Sequence, residues 1–339
     1  MAKEFRGEAA DSSPLVSVVL PMRNEEMHIA ECLQTVLAQE YPMERLEVLV
    51  VDGMSNDRSR EIIGEFVSRY PNVRLLDNPQ RVIPAALNIG IANAQGQIIV
   101  RVDARCRLAR DYICCCIEYL RITGADNVGG PMRAVGHNYL GQAIALATSS
   151  PFGIGNSKFH YLEDEEYVDT VYLGAYRRES FAHIGLFDET LAANEDYELN
   201  YRLRVAGSKI FCTPAIRSLY YCRDSFPELW KQYFRYGFWK AQVLRKHPRS
   251  IKVRQAVPPA FVLTLIVSGL LGLFSRPSAY LFLSVLSTYF VSALLFSLCS
   301  ARKKGWKYLP MLPLIFASLH FSWGSGFLWG LARALLHRV

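Results

Sequence analysis

The chain has 339 residues, more than one small core needs and enough for an α/β domain of ordinary size with an appendage. Its formal net charge of +7 suits an anionic membrane surface or nucleic acid, but no nucleic-acid-binding module is legible, so no nucleic-acid partner is expected. The eight cysteines show no CxxC pair and no metal-like spacing, and read as reduced, packed thiols rather than as a zinc site or a disulfide framework.

Residues 1–14 are polar and charged, carry no signal-peptide pattern and are expected to form a disordered tail. The pattern then alternates. Val16 to Leu20 is a β-branched run ending at Pro21, Asn24 to Ala38 has helical periodicity, and Leu46 to Val51 is a second apolar run ending at Asp52. A helix from Arg58 to Tyr70, a strand from Val73 to Leu76 and a helix from Ala85 to Ala94 follow; Gly96 then turns the chain into Ile98 to Val102, which ends at Asp103. This βαβαβ order predicts a largely parallel sheet buried on both faces, with ligands beyond the carboxyl ends of the strands, where Pro21, Asp52 and Asp103 fall.

The stretch from Gly129 to Tyr220 is less regular, with strands expected at Tyr172–Arg177 and Lys209–Cys212, and a helix from Glu195 to Ala206 stopped by Gly207. Residues 15–225 are expected to form the α/β domain. Residues 226–255 are aromatic and basic on a helical period, the pattern of an amphipathic helix at a membrane surface. Residues 256–339 hold three apolar stretches, Val257–Ser275, Ser278–Ser300 and Tyr308–Ala332, each long enough to cross a hydrocarbon core of roughly 30 Å. Arg245, Lys246, Arg249, Lys252 and Arg254 precede the first stretch, and Arg302, Lys303, Lys304 and Lys307 follow the second. Basic flanks favour the cytoplasmic side, so a multi-pass membrane protein with a cytoplasmic N-terminal domain is expected. An odd third span would leave Arg338 on the far side, and Pro310, Pro313 and the Gly324–Gly330 region would let that span bend or re-enter.

Two segments carry chemistry at strand ends. Val18–Glu25 (VVLPMRNE) offers Arg23, Asn24 and Glu25, and Asp52 lies in VVDGMSND, where Gly53 permits a tight turn; a carboxylate there suits a nucleobase N–H or a ribose hydroxyl. Asp57 reads instead as the cap of the following helix.

In this order the residues resemble family 2 glycosyltransferases, inverting enzymes of the GT-A fold, over about Leu15 to His247. Pro21, Asn24 and Glu25 meet the family's opening pattern. Asp52, Gly53, Ser55 and Asp57 approximate its Asp-Gly-Ser-x-Asp turn, with Met54 displacing the order, and Ala86, Asn88, Gly90, Ala94 and Gly96 match its Ala-x-Asn-x-Gly helix. The resemblance implies a nucleotide-sugar site made by Pro21, Arg23, Asn24, Glu25, Asp52, Asn88, Asp103 and Arg105. It further implies a Mg²⁺ or Mn²⁺ ion on Asp103, which aligns with the first position of the family's Asp-x-Asp. Arg105 stands at the second position and is permanently cationic. Either Asp103 holds the ion with diphosphate oxygens and water, or Arg105 and Arg107 supply part of the charge. Glu195 and Asp196 resemble the family's Glu-Asp pair, Asp196 as the base that takes the acceptor proton and Glu195 in support.

Gln232, Arg235 and Tyr236 resemble its Gln-x-x-Arg-Trp motif, which implies contact with the diphosphate or the acceptor. VDAR at Val102–Arg105, GAYRRESF from Gly174 and NEDYELNYRLR from Asn194 are similar to the ExoA-type glucosyltransferases of succinoglycan and related exopolysaccharide assembly. That similarity implies glucose from a UDP-sugar donor and a membrane lipid-diphosphate-linked saccharide acceptor. Two rivals stand beside it: a polyprenyl-phosphate glycosyltransferase, and a catalytically silent membrane scaffold.

Overall fold

A computed structural model describes residues 13–155 and 157–336 of the chain, so the expected tail, Ser13 and Pro14 apart, and Arg338 lie outside the described residues. In chain order the elements are β1 (Val16–Met22), α1 (Ile29–Leu37), β2 (Leu46–Asp52), α2 (Ser59–Arg69), β3 (Val73–Asp77), α3 (Ile83–Asn93), β4 (Ile98–Arg101), β5 (Cys106–Leu108), α4 (Tyr112–Thr123), β6 (Asn127–Gly130) and β7 (Met132–Val135). Then come α5 (Tyr139–Thr148), α6 (Pro151–Ile154), β8 (Glu166–Tyr167), β9 (Tyr172–Arg177), α7 (Arg178–Ile184), α8 (Glu195–Val205), β10 (Ile210–Cys212) and β11 (Ser218–Tyr221). Four long helices close the chain: α9 (Phe226–Lys246), α10 (Val253–Gly272), α11 (Arg276–Lys304) and α12 (Leu312–Leu336). Among the described residues, those up to 132 together with 162–220 form one compact unit, and those in 133–161 together with those from 221 onward form another.

The first unit is built on an eight-stranded, mostly parallel sheet in the order β3-β2-β1-β4-β9-β6-β10-β8. β1 runs parallel to β2 and β4, β2 to β3 and β6 to β10, whereas β9 is antiparallel to both of its neighbours. Every residue of β1 is buried, as a central strand covered on both faces requires. Val16, Val18 and Leu20 join Ile29, Leu33 and Val36 of α1 in one core, while Val19 points the other way into a second core with Leu87 and Ile91 of α3 and Leu199 and Leu203 of α8. Gly90 permits that second contact, because a Cβ there would lie 2.3 Å from Val19 Cγ1. The register sets Met22 beside Asp52 and Asp52 beside Asp77, so the polar strand ends share one edge.

Helix α1 begins at Ile29, not at Asn24 as its periodicity predicts. Residues 24–26 are drawn out of the helix by hydrogen bonds to the loop after β2 and the start of α2: Asn24 N donates to Ser55 Oγ at 2.8 Å, Glu25 N to Ser59 Oγ at 2.8 Å and Glu26 N to Asp57 Oδ2 at 3.2 Å. Asp57 also accepts from Ser59 N at 3.0 Å, and so serves the first residue of α2 from the position before the N-cap, which is Arg58.

In the second unit, among the described residues, two helices are long and apolar enough to cross a membrane: Val253–Gly272, with a mean hydropathy of 1.6, and Arg276–Arg302, with 2.0. Their apolar side chains are widely exposed, up to 84% at Val253. The third apolar stretch forms α12, one continuous helix through Gly324, Gly326 and Gly330. These glycines bring backbones together instead of bending the helix. A Cβ on Gly326 would lie 2.1 Å from the Phe234 carbonyl oxygen, one on Gly330 2.6 Å from that of Phe238, and one on Gly237 of α9 2.0 Å from that of Trp323. The contacts at Gly326 and Gly330 advance by four residues on both helices, so α9 and α12 run parallel.

Candidate active site

The loops after β1, β2 and β4 meet at the carboxyl edge of the sheet. Pro21, opposite Val51, is the last residue but one of β1, and Arg23, exposed, passes close over Gly53. Asn24 takes a left-handed backbone, φ +54°, and its Oδ1 accepts from Asn56 N at 3.0 Å. Met54, at φ +57°, is the second left-handed residue in this pair of loops. Such strain in non-glycine residues collects where the surrounding structure over-determines it, commonly at functional sites.

Asp52 is fully buried and accepts from Ser55 Oγ at 2.5 Å and from Arg60 Nη1 at 2.6 Å; the same Nη1 lies 2.7 Å from Asp77 Oδ1. One guanidinium thus ties the ends of β2 and β3, and Asp52 meets the solvent side of the edge only through these partners. Glu25 and Arg105, both expected to touch the donor, pair with each other at 2.9 Å, joining the loop after β1 to the loop after β4. Asn88 is committed elsewhere. Its Nδ2 donates to the Phe187 carbonyl at 2.9 Å and to Glu189 Oε1 at 2.8 Å, while its Oδ1 accepts from Phe187 N at 2.9 Å. Expected at the nucleotide-sugar site, it fixes the loop that leads to α8.

Helix α8 carries the acidic pair. Asn194 enters it in a left-handed conformation, φ +61°. Buried side-chain hydrogen bonds fix the helix against the sheet, Asn127 Nδ2 to Asn200 Oδ1 at 2.8 Å and Asn200 Nδ2 to Thr170 Oγ1 at 2.8 Å. Arg202 grips Glu198 with two contacts of 2.8 Å and donates to the Leu186 carbonyl at 2.7 Å.

The residue that unites the site is one the sequence pattern did not single out. Arg101, at the end of β4, donates from Nε to Asp103 Oδ1 at 3.0 Å and sets Nη1 3.0 Å from Glu195 Oε1. Arg101 and Glu195 are 11% and 5% exposed and Asp103 is 30% exposed, so the pair between strand and helix is buried while Asp103 keeps access to solvent. Burial pushes the Glu195 carboxyl above its ordinary range, against the pull of Arg101. Asp103 and Asp196 line one cavity of about 20 Å³ with Arg101, Tyr172, Leu173 and Tyr176. Asp103, Glu195 and Asp196 are therefore brought together through Arg101.

Gln232, Arg235 and Tyr236 lie on α9, in the second unit, where Gln232 Nε2 donates to the Tyr236 hydroxyl at 2.8 Å and Tyr236 packs edge-on against Tyr233. Among the described residues no group of three His, Cys, Asp or Glu side chains is placed to hold a metal ion by itself.

The sequence matches the family described as Glycosyl transferase family 2 over residues 17–185. It is 30% identical over 312 residues to the succinoglycan biosynthesis protein ExoA of Rhizobium meliloti, covering 91% of this chain and 93% of that protein. It is also 30% identical over 267 residues to the dolichyl N-acetyl-alpha-D-glucosaminyl phosphate 3-beta-D-2,3-diacetamido-2,3-dideoxy-beta-D-glucuronosyltransferase of Methanococcus voltae, covering 76% and 82% respectively. Among solved structures, the mannosyltransferase PcManGT from Pyrobaculum calidifontis, in complex with GDP-Man and Mn²⁺, shares the fold, with a TM-score of 0.59 at 21% identity over 94% of this chain and 88% of that one.

Proposed function

Since the chain belongs to glycosyl transferase family 2 and is a glycosyltransferase of the GT-A type, we propose that it moves a hexose, glucose first among candidates, from a UDP-sugar to a saccharide carried on a membrane lipid diphosphate. The observation that carries this reading is the joining of Asp103, Glu195 and Asp196 through Arg101 at the sheet's carboxyl edge. The relative from Methanococcus voltae, named for a dolichyl-linked sugar phosphate acceptor, supports a lipid-linked saccharide; the Rhizobium relative, named for succinoglycan biosynthesis, supports exopolysaccharide assembly.

The nucleotide lies over the loops after β1 and β2, where Arg23 and Asn24 are exposed and the Asp52–Arg60 pair sits beneath. Asp103 faces the diphosphate. Mg²⁺ or Mn²⁺ fits here as an ion held by Asp103 together with the donor's own oxygens, since Mg²⁺ commonly uses one or two protein carboxylates plus substrate phosphates, and when bound it supplies Lewis-acid charge to the departing diphosphate. Arg105, anchored on Glu25, adds fixed positive charge on the same side. Asp196 takes the proton from the acceptor hydroxyl as that oxygen attacks the anomeric carbon from the face opposite the nucleotide, which inverts the configuration. Glu195, held by Arg101, orients the start of α8 so that Asp196 keeps its place.

The catalytic unit lies on the cytoplasmic side of a bacterial inner membrane in this reading, as the basic flanks of α10 and α11 favour. A screen of UDP-sugars against membrane lipid extracts, followed by mass spectrometry of the lipid fraction, tests the assignment. One hexose added to a lipid-linked saccharide is expected; a sugar monophosphate lipid as the product would replace it with the polyprenyl-phosphate reading. Excess chelator is expected to abolish turnover, and full activity in its presence would remove the ion from the scheme.

A further inference from the structure

The cavity beside Asp103 contains a group that none of these roles uses. The Tyr172 hydroxyl is buried and meets no hydrogen-bond partner among the described residues. Arg101 Nη1, in ion-pair contact with Glu195, likewise makes no directed hydrogen bond. A buried polar group without a partner costs free energy comparable to a lost hydrogen bond, so such groups in a folded protein call for an explanation.

The backbone holds Tyr172 in this position. Between the pairs Val128–Ala175 and Gly130–Tyr172, β9 has one residue more than β6, a bulge at Leu173–Gly174. Leu173 adopts φ +49°, and the buried Tyr112 hydroxyl donates to its carbonyl at 2.7 Å, which fixes the strained turn. Tyr172, Leu173 and Gly174 therefore all line the same cavity, where a regular strand would send consecutive side chains to opposite faces.

We propose that this cavity is a hydroxyl subsite: it receives one hydroxyl of the transferred hexose, with Tyr172 and Arg101 donating to its oxygen and Asp103 and Asp196 available to accept from it. The volume of about 20 Å³ suits a group the size of a water and excludes a sugar ring. A hydroxyl both donates and accepts, and so satisfies donors and acceptors on the same wall; a phosphate oxygen would face two carboxylates, and a bare cation the O–H and N–H donors. The assignment to the donor sugar rests on the reading of Asp103 as the residue facing the diphosphate to which that sugar is attached.

The test uses the full-length protein and the UDP-sugar selected by the screen above. Tyr172→Phe keeps the ring and its edge-on packing against Tyr220, 5.7 Å between centroids, and is expected to lower kcat/KM about tenfold, the usual weight of one such hydrogen bond. One monodeoxy form of that donor is expected to lower wild-type turnover by a similar factor and to be used equally well by wild type and Y172F, because each change removes one end of the same bond. Transfer by the wild type tests the transferase reading; the ratio of wild type to variant tests the subsite. An unchanged kcat/KM in Y172F, the same loss with every monodeoxy donor, or an effect confined to the acceptor's KM would each overturn the subsite.

Discussion

Arg101 stands between two carboxylates from different elements, and Asp196 faces the cavity beside it. In the scheme proposed above, the labour divides between neighbours: Glu195 holds the ion pair with Arg101 and Asp196 is the base. Asp196→Asn is thus expected to lower transfer about 10²- to 10⁴-fold, the weight of a positioned acid–base group, with UDP affinity by calorimetry unchanged; near-normal turnover would transfer the role to another group. The position of Asp103 was legible because its apolar run Ile98–Val102 has to stop at a polar residue on the sheet edge. Arg101 was not, since a lone cation in such a run looks like an edge residue turned to solvent, and only the packing of α8 shows that its partner is Glu195. Tyr172 was hidden for another reason: its direction depends on a bulge, and a one-residue shift in strand alternation leaves no trace in composition.

At the scale of elements, the α3 motif is a packing device as much as a binding one. Gly90 lets α3 approach β1 within van der Waals reach of Val19, and Asn88, two residues earlier, clamps the Phe187–Glu189 loop. Gly90→Ala is expected to destabilise the protein by about 1–3 kcal/mol, the range for overpacking a filled core, read as a lower midpoint in thermal unfolding; Val19→Ala in the same chain is expected to restore most of it. No recovery in the double variant would show that Gly90 matters for a reason other than Val19. The elements β1 to β4 and α1 to α3 were readable from apolar runs and helical periods. Strands β5 to β8 were not, because none of them is an uninterrupted apolar run and each forms where neighbours supply hydrogen bonds.

For the whole molecule, the parallel packing of α9 on α12 has a consequence for the parity of membrane crossings. Glycine contacts at Gly237, Gly326 and Gly330 lock the two backbones together, so α12 shares the inclination of α9. Helix α9 carries Glu228, Lys231, Arg235, Lys240, Arg245 and Lys246 along its length, and each charge placed at mid-bilayer costs about 2.5–3.5 kcal/mol on insertion scales. A helix with that load is expected to stay at the interface and to keep its partner there, so that α10 and α11 would form a single out-and-back hairpin. An even count returns the chain to the side it left. Leu336, 72% exposed, offers a place to observe this. A cysteine there is expected to react with a membrane-impermeant maleimide only after cells are broken, in step with a cysteine on the catalytic unit; labelling in intact cells would require α12 to cross, and α9 to leave the interface with it.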